Sequence, residues 1–166
     1  MHAMRHALLA AALLLAPAAA SAHEVKAGAI AVVHPIMRAS IGAVPNTAAY
    51  FTLRNTGAQP DKLLSASCAC ARKVEAHVMG MANGTMTMRA APGMVIPAKG
   101  EVAFKPSGAH LMVFGLTKPA EAGTTVPMTL IFERAGKVVV PVFVTANVDA
   151  EIAKHAGHGA TPAHHH

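Results

Sequence analysis

Charge, aromatic rings and thiols are all scarce in this chain: 13% of its residues are charged, none is Trp, one is Tyr, five are Phe and two are Cys. Beyond Arg5 the Lys and Arg residues are scattered between Lys26 and Lys154, with no basic stripe and nothing aromatic to interleave with one, which excludes nucleic acid as a partner. The eight carboxylates stand isolated, and the chain has neither a Gly-x-Ser-x-Gly elbow nor a His-Glu-x-x-His segment, so no enzyme is expected. Also missing are an internal repeat, a sustained helical period in the body, and any later run near the roughly 20 apolar residues that span a bilayer.

What stands at the start is an export signal. Arg5 precedes the apolar run Ala7 to Leu15, and small residues end at Ala20-Ser21-Ala22, so cleavage is expected after Ala22 and the mature protein in the periplasm. Removing residues 1–22 takes one unit from the formal charge of +6 and leaves 144 of the 166 residues, enough for one domain with a real core. The expected organisation is a signal at 1–22, a β-domain at 23–150 and a mobile, His-rich tail at 151–166. No membrane span is expected after cleavage, and the protein is expected to be a monomer.

Short alternating or β-branched runs fill the body, broken by turn residues about every eight to twelve positions, which predicts an all-β sandwich. The expected strands are Ala29–Val33, Ala48–Asn55, Lys62–Ser67, Lys73–Met81, Thr85–Arg89, Gly100–Lys105, His110–Phe114, Pro127–Glu133 and Lys137–Thr145. Pro127 and Pro141 cannot donate a ladder hydrogen bond, so their strands are expected to be edges or to carry bulges.

Histidine and methionine are abundant by contrast, eleven and ten residues. Six of the eight Met left after signal removal (Met79, Met81, Met86, Met88, Met94, Met112) fall in one 34-residue stretch. Within it Asn83-Gly84 separates two alternating runs, a strong two-residue hairpin signal. Ala82 would then face Thr85, Met81 face Met86, Met79 face Met88 and His77 face Ala90, which puts 77, 79, 81, 86, 88 and 90 on one side. His77 and Met88 become diagonal neighbours. Further on, His110 and Met112 lie two apart on a strand and share a side.

A Met on a strand usually fills a core and a lone His is usually a surface or satisfied residue. Here thioethers stand where other strands use Val and Leu, and two of the four His between 23 and 150 lie beside them. Two imidazoles and two thioethers make a soft set that selects Cu(I) over oxygen-seeking divalent ions. Zinc is disfavoured because its protein ligands are Cys, His and carboxylate. Thioethers need no deprotonation and cannot be lost to a disulfide in an oxidising compartment.

The segment His77-Val78-Met79-Gly80-Met81-Ala82-Asn83-Gly84-Thr85-Met86-Thr87-Met88-Arg89, followed by His110-Leu111-Met112, resembles the periplasmic copper chaperones of the PCuAC family. Their motif is His, ten residues, Met, twenty-one residues, His, one residue, Met, and all four positions match. The resemblance continues through Tyr50 to Gly57, Asp61-Lys62-Leu63, Ile96 to Gly100 and Val126 to Leu130, covering about 26–146. It implies a cupredoxin-like Greek-key sandwich of about eight or nine strands, with Cu(I) on His77, Met88, His110 and Met112. It also implies delivery to the CuA centre of a respiratory haem-copper oxidase, alongside a Sco-type thiol copper protein. Met79, Met81 and Met86 are typical of the family's hairpin and read as supporting or relay thioethers.

Several residues outside the motif carry accessory readings. Cys68-Ala69-Cys70 reads as two half-buried thiols, a redox-active pair or an accessory Cu(I) site; residues two apart on a strand point the same way and a bridge between them would close a small, strained ring, so no stable disulfide is expected. After cleavage the α-amine and imidazole of His23 could chelate Cu(II). The tail imidazoles His155, His158, His164, His165 and His166 suggest weak binding of Cu(II), Ni or Zn, or in part a purification-tag remnant. In some members of the family such an extension is associated with Cu(II). The rival functions are a blue-copper electron carrier, which lacks its Cys, His, Met cluster here, and a passive copper buffer, which no sequence feature separates from a chaperone.

Overall fold

A computed structural model of the chain describes residues 24–156. It contains strands β1 (Glu24–Ala27), β2 (Ile30–Arg38), β3 (Asn46–Asn55), β4 (Asp61–Ser67), β5 (Ala71–Ala82) and β6 (Thr85–Ala90), then β7 (Met94–Ile96), β8 (Glu101–Phe104), β9 (Ala109–Leu116), β10 (Thr125–Phe132) and β11 (Gly136–Thr145), and helix α1 (Val148–Ala156). The all-β expectation holds, and the short strands β1 and β7 raise the number above the eight or nine expected.

The strands hydrogen-bond in the order β6-β5-β9-β8-β3-β2-β11-β10-β4-β7, with β1 on β2. Because β4 also meets β5 at Ala66 and Val74, the sheet turns back on itself and encloses one core. Alternation decides what enters that core. On β9, Leu111 and Val113 point inward and are fully buried, and on β11 the buried set is Val140, Val142 and Val144. Phe51 and Phe104 pack with ring centroids 4.7 Å apart and planes tilted by 34° in the same interior, a contact worth about 0.5–1.5 kcal/mol beyond area burial. Shaving Leu111 to Ala would cost about 2–5 kcal/mol.

Three expectations are corrected by the structure. The strands of Pro127 and Pro141 are interior to the sheet, and the two prolines face each other across β10–β11. Pairing of β10 with β4 starts only at Thr129, and pairing of β11 with β2 only at Phe143, so each ring sits where its strand has a partner on one side alone. Cys68 and Cys70 form a disulfide with a Cα–Cα distance of 5.1 Å, inside the normal range. Residues 68–70 are a turn between β4 and β5 and not a strand, so the two side chains can converge. The third correction concerns the tail: 148–156 is helical, and the expected boundary at 150 falls inside α1. Asn147 caps this helix by accepting the Ala150 N–H at 3.0 Å, and Val148 anchors it against Ile36 and Tyr50.

Candidate metal site

Asn83 and Gly84 take φ of 50° and 77°, the left-handed pair that a two-residue hairpin needs. The register of β5 and β6 follows: Ala82 faces Thr85, Met81 faces Met86, Met79 faces Met88 and His77 faces Ala90. On its other edge β5 pairs with β9, which sets His77 opposite His110 and Glu75 opposite Met112. Paired residues share a face, so the outer surface of β6, β5 and β9 collects His77, Met79, Met81, Met86, Met88, His110 and Met112. Met88 and Met112 are each diagonal to His77, on opposite sides of β5.

Side-chain geometry draws this set closer. Met88 reaches across β5 until its Sδ lies 3.1 Å from Nε2 of His110. The Nδ1–H of His110 donates to the carbonyl of Gly108 at 3.1 Å; a carbonyl can only accept, so the neutral ring turns the lone pair of Nε2 toward the thioether. In the Nδ1–H tautomer two lone pairs face one another. A single ion with bonds of about 2.0 Å to nitrogen and 2.3 Å to sulfur would hold such atoms roughly 3.5 Å apart at a tetrahedral angle. The His77 and His110 rings lie 6.1 Å apart between centroids. Exposure rises outward across the face, from His110 at 6% to Met88 at 48% and Met81 at 67%.

Sequence reasoning missed Glu75, treating every carboxylate as isolated. Its Oε2 lies 3.3 Å from Nε2 of His77 and its Oε1 lies 2.9 Å from the Lys73 ammonium. Lys73, and then His77, hold the Glu75 carboxyl below the usual carboxylate range. Phe114 supports the row: its ring is 5.8 Å from that of His77 and carries the Lys73 ammonium 5.6 Å from its centre. The signal was present in the sequence as residues 73, 75 and 77, which a strand aligns on one side.

Other expected accessory residues lie elsewhere. Cys70 precedes β5 and is seven positions from His77, about 23 Å along an extended strand, so the disulfide is remote from this face. His155 sits on α1 and stacks its ring on that of His34 at 3.7 Å, away from β5 and β6. His23, His158 and His164–His166 lie outside the described residues, as does the expected signal at 1–22. Among the described residues, no three His, Cys, Asp or Glu converge as a metal cluster, and no helix is long and apolar enough to cross a membrane.

Comparison with known proteins gives one family and a consistent set of folds. The sequence pattern of the LpqE-like family, described as "Putative lipoprotein LpqE-like", matches residues 30–144. "Putative lipoprotein Lxx21020" of Leifsonia xyli subsp. xyli is 35% identical over 99 residues, 58% of this chain and 60% of that relative, so the match spans under two thirds of its length. Among solved structures, the copper-bound PCuAC domain from PmoF2 superposes with a TM-score of 0.66 at 27% identity, over 75% of this chain and 99% of that one. The Cu(I) form of DR1885 from Deinococcus radiodurans gives 0.58 at 30% identity, over 79% of this chain and 86% of its own.

Proposed function

The chain belongs to the LpqE-like family, and from that membership and its PCuAC fold we propose that it is an exported metallochaperone, carrying one Cu(I) on His77, Met88, His110 and Met112. The observation that carries the reading is the His110 Nε2 to Met88 Sδ approach at 3.1 Å, beside a second imidazole directly across the strand pair. Both structural neighbours named above are copper-bound, which supports the metal assignment.

The chemistry follows from the donors. Both imidazoles and both thioethers are neutral, so the ion keeps its charge and is held by soft coordination alone. An acceptor offering thiolates could take it. Transfer runs outward past Met88, because it is the exposed ligand of the set and the exposed Met81 and Met86 continue it along the hairpin beside Met79. The cargo's destination in this reading is the CuA centre of a haem-copper oxidase, directly or through a Sco-type protein, and the site of action is the periplasm. Weak Cu(II) binding by the histidines beyond α1 is an accessory activity.

X-ray absorption on the Cu(I) form, counting sulfur and nitrogen neighbours in the wild type and in Met88→Ala, tests the site. One sulfur should disappear; an unchanged shell removes Met88 from it. Oxidase activity in cells lacking the protein under copper scarcity tests delivery. Normal CuA loading there would favour a copper buffer instead.

A further inference from the structure

The two imidazoles are held by different nitrogens. His110 donates its Nδ1–H to the Gly108 carbonyl and turns Nε2 toward Met88. His77 does the reverse: its Nε2 faces Glu75 Oε2 at 3.3 Å, while its Nδ1 is buried with no hydrogen-bond partner. An ionised carboxylate can only accept, so the His77 ring donates Nε2–H and leaves its lone pair on Nδ1. A metal-bound histidine characteristically gives its other N–H to such a group, which fixes both tautomer and ring orientation.

Resting on the reading of His77 as a copper ligand, we propose that Glu75 is the positioning residue of the site: it locks His77 as the Nε2–H tautomer and so presents Nδ1 to the metal. Glu75 is itself anchored. Lys73 holds its other oxygen at 2.9 Å, and Phe114 lies against both the Lys73 ammonium and the His77 ring. Lys73, Glu75 and His77 thus form one row along β5, with Glu75 opposite Met112. A buried nitrogen lone pair without a donor is costly in a finished structure and economical in one that awaits a cation. The proposal therefore accounts for an orphaned atom as well as for an unexpected carboxylate.

The experiment uses the full mature chain in three forms: wild type, Glu75→Ala and Glu75→Gln. Long-range ¹H–¹⁵N correlation on the apo protein, with histidines neutral, should show His77 protonated at Nε2 and His110 at Nδ1. In Glu75→Ala the His77 tautomer should become mixed while that of His110 stays fixed, and Cu(I) affinity should fall by about 10–100-fold. Glu75→Gln, whose amide oxygen still accepts from Nε2–H, should restore the wild-type tautomer and most of the affinity. Glu75 is partly exposed, so neither variant threatens the core. Finding His77 protonated at Nδ1 in the wild type, or tautomer and affinity unmoved in Glu75→Ala, overturns the proposal. His77→Ala separates the two levels of the argument. If it binds Cu(I) as tightly as wild type, the ligand reading falls and takes this proposal with it; if His77 is essential and Glu75 inert, this proposal alone fails.

Discussion

Replacing Met88 by Leu separates copper binding from folding, because the structure predicts opposite magnitudes for the two. Met88 is 48% exposed on strand β6, every residue of which is exposed. Full burial of a Met side chain is worth about 1.5–3 kcal/mol, so a half-buried one contributes roughly 1 kcal/mol. Leu has a similar volume and retains most of that. The expected loss of stability is below about 0.5 kcal/mol, a shift in Tm of less than about 3 °C. Copper tells a different story. The substitution removes the sulfur that faces Nε2 of His110 at 3.1 Å, one of four proposed donors. Losing a group that merely supports a ligand costs about 10–100-fold, so losing a ligand should exceed roughly 100-fold, or about 2.8 kcal/mol at 1.4 per decade. Competition against a chromogenic Cu(I) chelator measures the affinity and thermal unfolding measures the stability. An affinity within about threefold of wild type, in a protein that unfolds normally, would refute the reasoning, since no geometric role would remain for the sulfur.

Three further outcomes are expected. Changing both Cys68 and Cys70 to Ser should leave one Cu(I) bound with unchanged affinity, as read by the same competition, because the disulfide lies at the far end of β5. Asp61, only 4% exposed, accepts the N–H groups of Lys62, Arg134 and Ala135 at 2.7, 2.9 and 2.9 Å; Asp61→Ala should lower unfolding free energy by about 2–4 kcal/mol in urea titration, with Cu(I) binding intact below the transition. Removing residues 157–166, which spares α1, should abolish Cu(II) binding seen by electron paramagnetic resonance and leave Cu(I) binding unaltered; loss of Cu(I) would contradict the placement of the main site.

The legible parts of the site are those fixed by short-range rules. Asn83-Gly84 accepts a left-handed backbone at both positions, so the turn alone set the pairing of Met79 with Met88 and His77 with Ala90. The partner on the other edge of β5 was not legible, because the pairing of His77 with His110 closes a loop of more than thirty residues and no local signal encodes it. Glu75 escaped for a different reason: the two-residue spacing of Lys73, Glu75 and His77 was there to be read on one strand, but the carboxylates were judged by the lack of an acidic cluster and not by their same-side neighbours. Strands β1 and β7 are short and gain their order from neighbours, β1 from β2 and β7 from β4. Helix α1 was misread because its composition of small residues resembles a mobile tail, and the deciding feature was the Asn147 cap together with the single anchor Val148. The prolines were assigned to edges or bulges by a rule about whole strands, whereas only the side of the strand away from the paired proline must lack a partner at that position.

Register is what joins this fold to the proposed chemistry. The inward residues of the same strands, Val74 on β5 and Leu111 and Val113 on β9, are buried in the core, and Val74 stands directly opposite Val113. Sliding β5 by one position against β9 would turn His77 inward and bring Val74 out, so hydrophobic burial holds the imidazole on the copper face without any metal present. The Met88 thioether is under no such constraint, since β6 is an edge strand exposed along its length and, among the described residues, bonded in the sheet only to β5. In the proposed site two imidazoles and the Met112 thioether are therefore fixed by the core before copper arrives, and Met88, which completes the set, belongs to a segment able to yield. In the proposed transfer the ion would leave by that yielding side, and an acceptor would approach across the edge strand β6, where Met86 and its β5 partner Met81 are exposed.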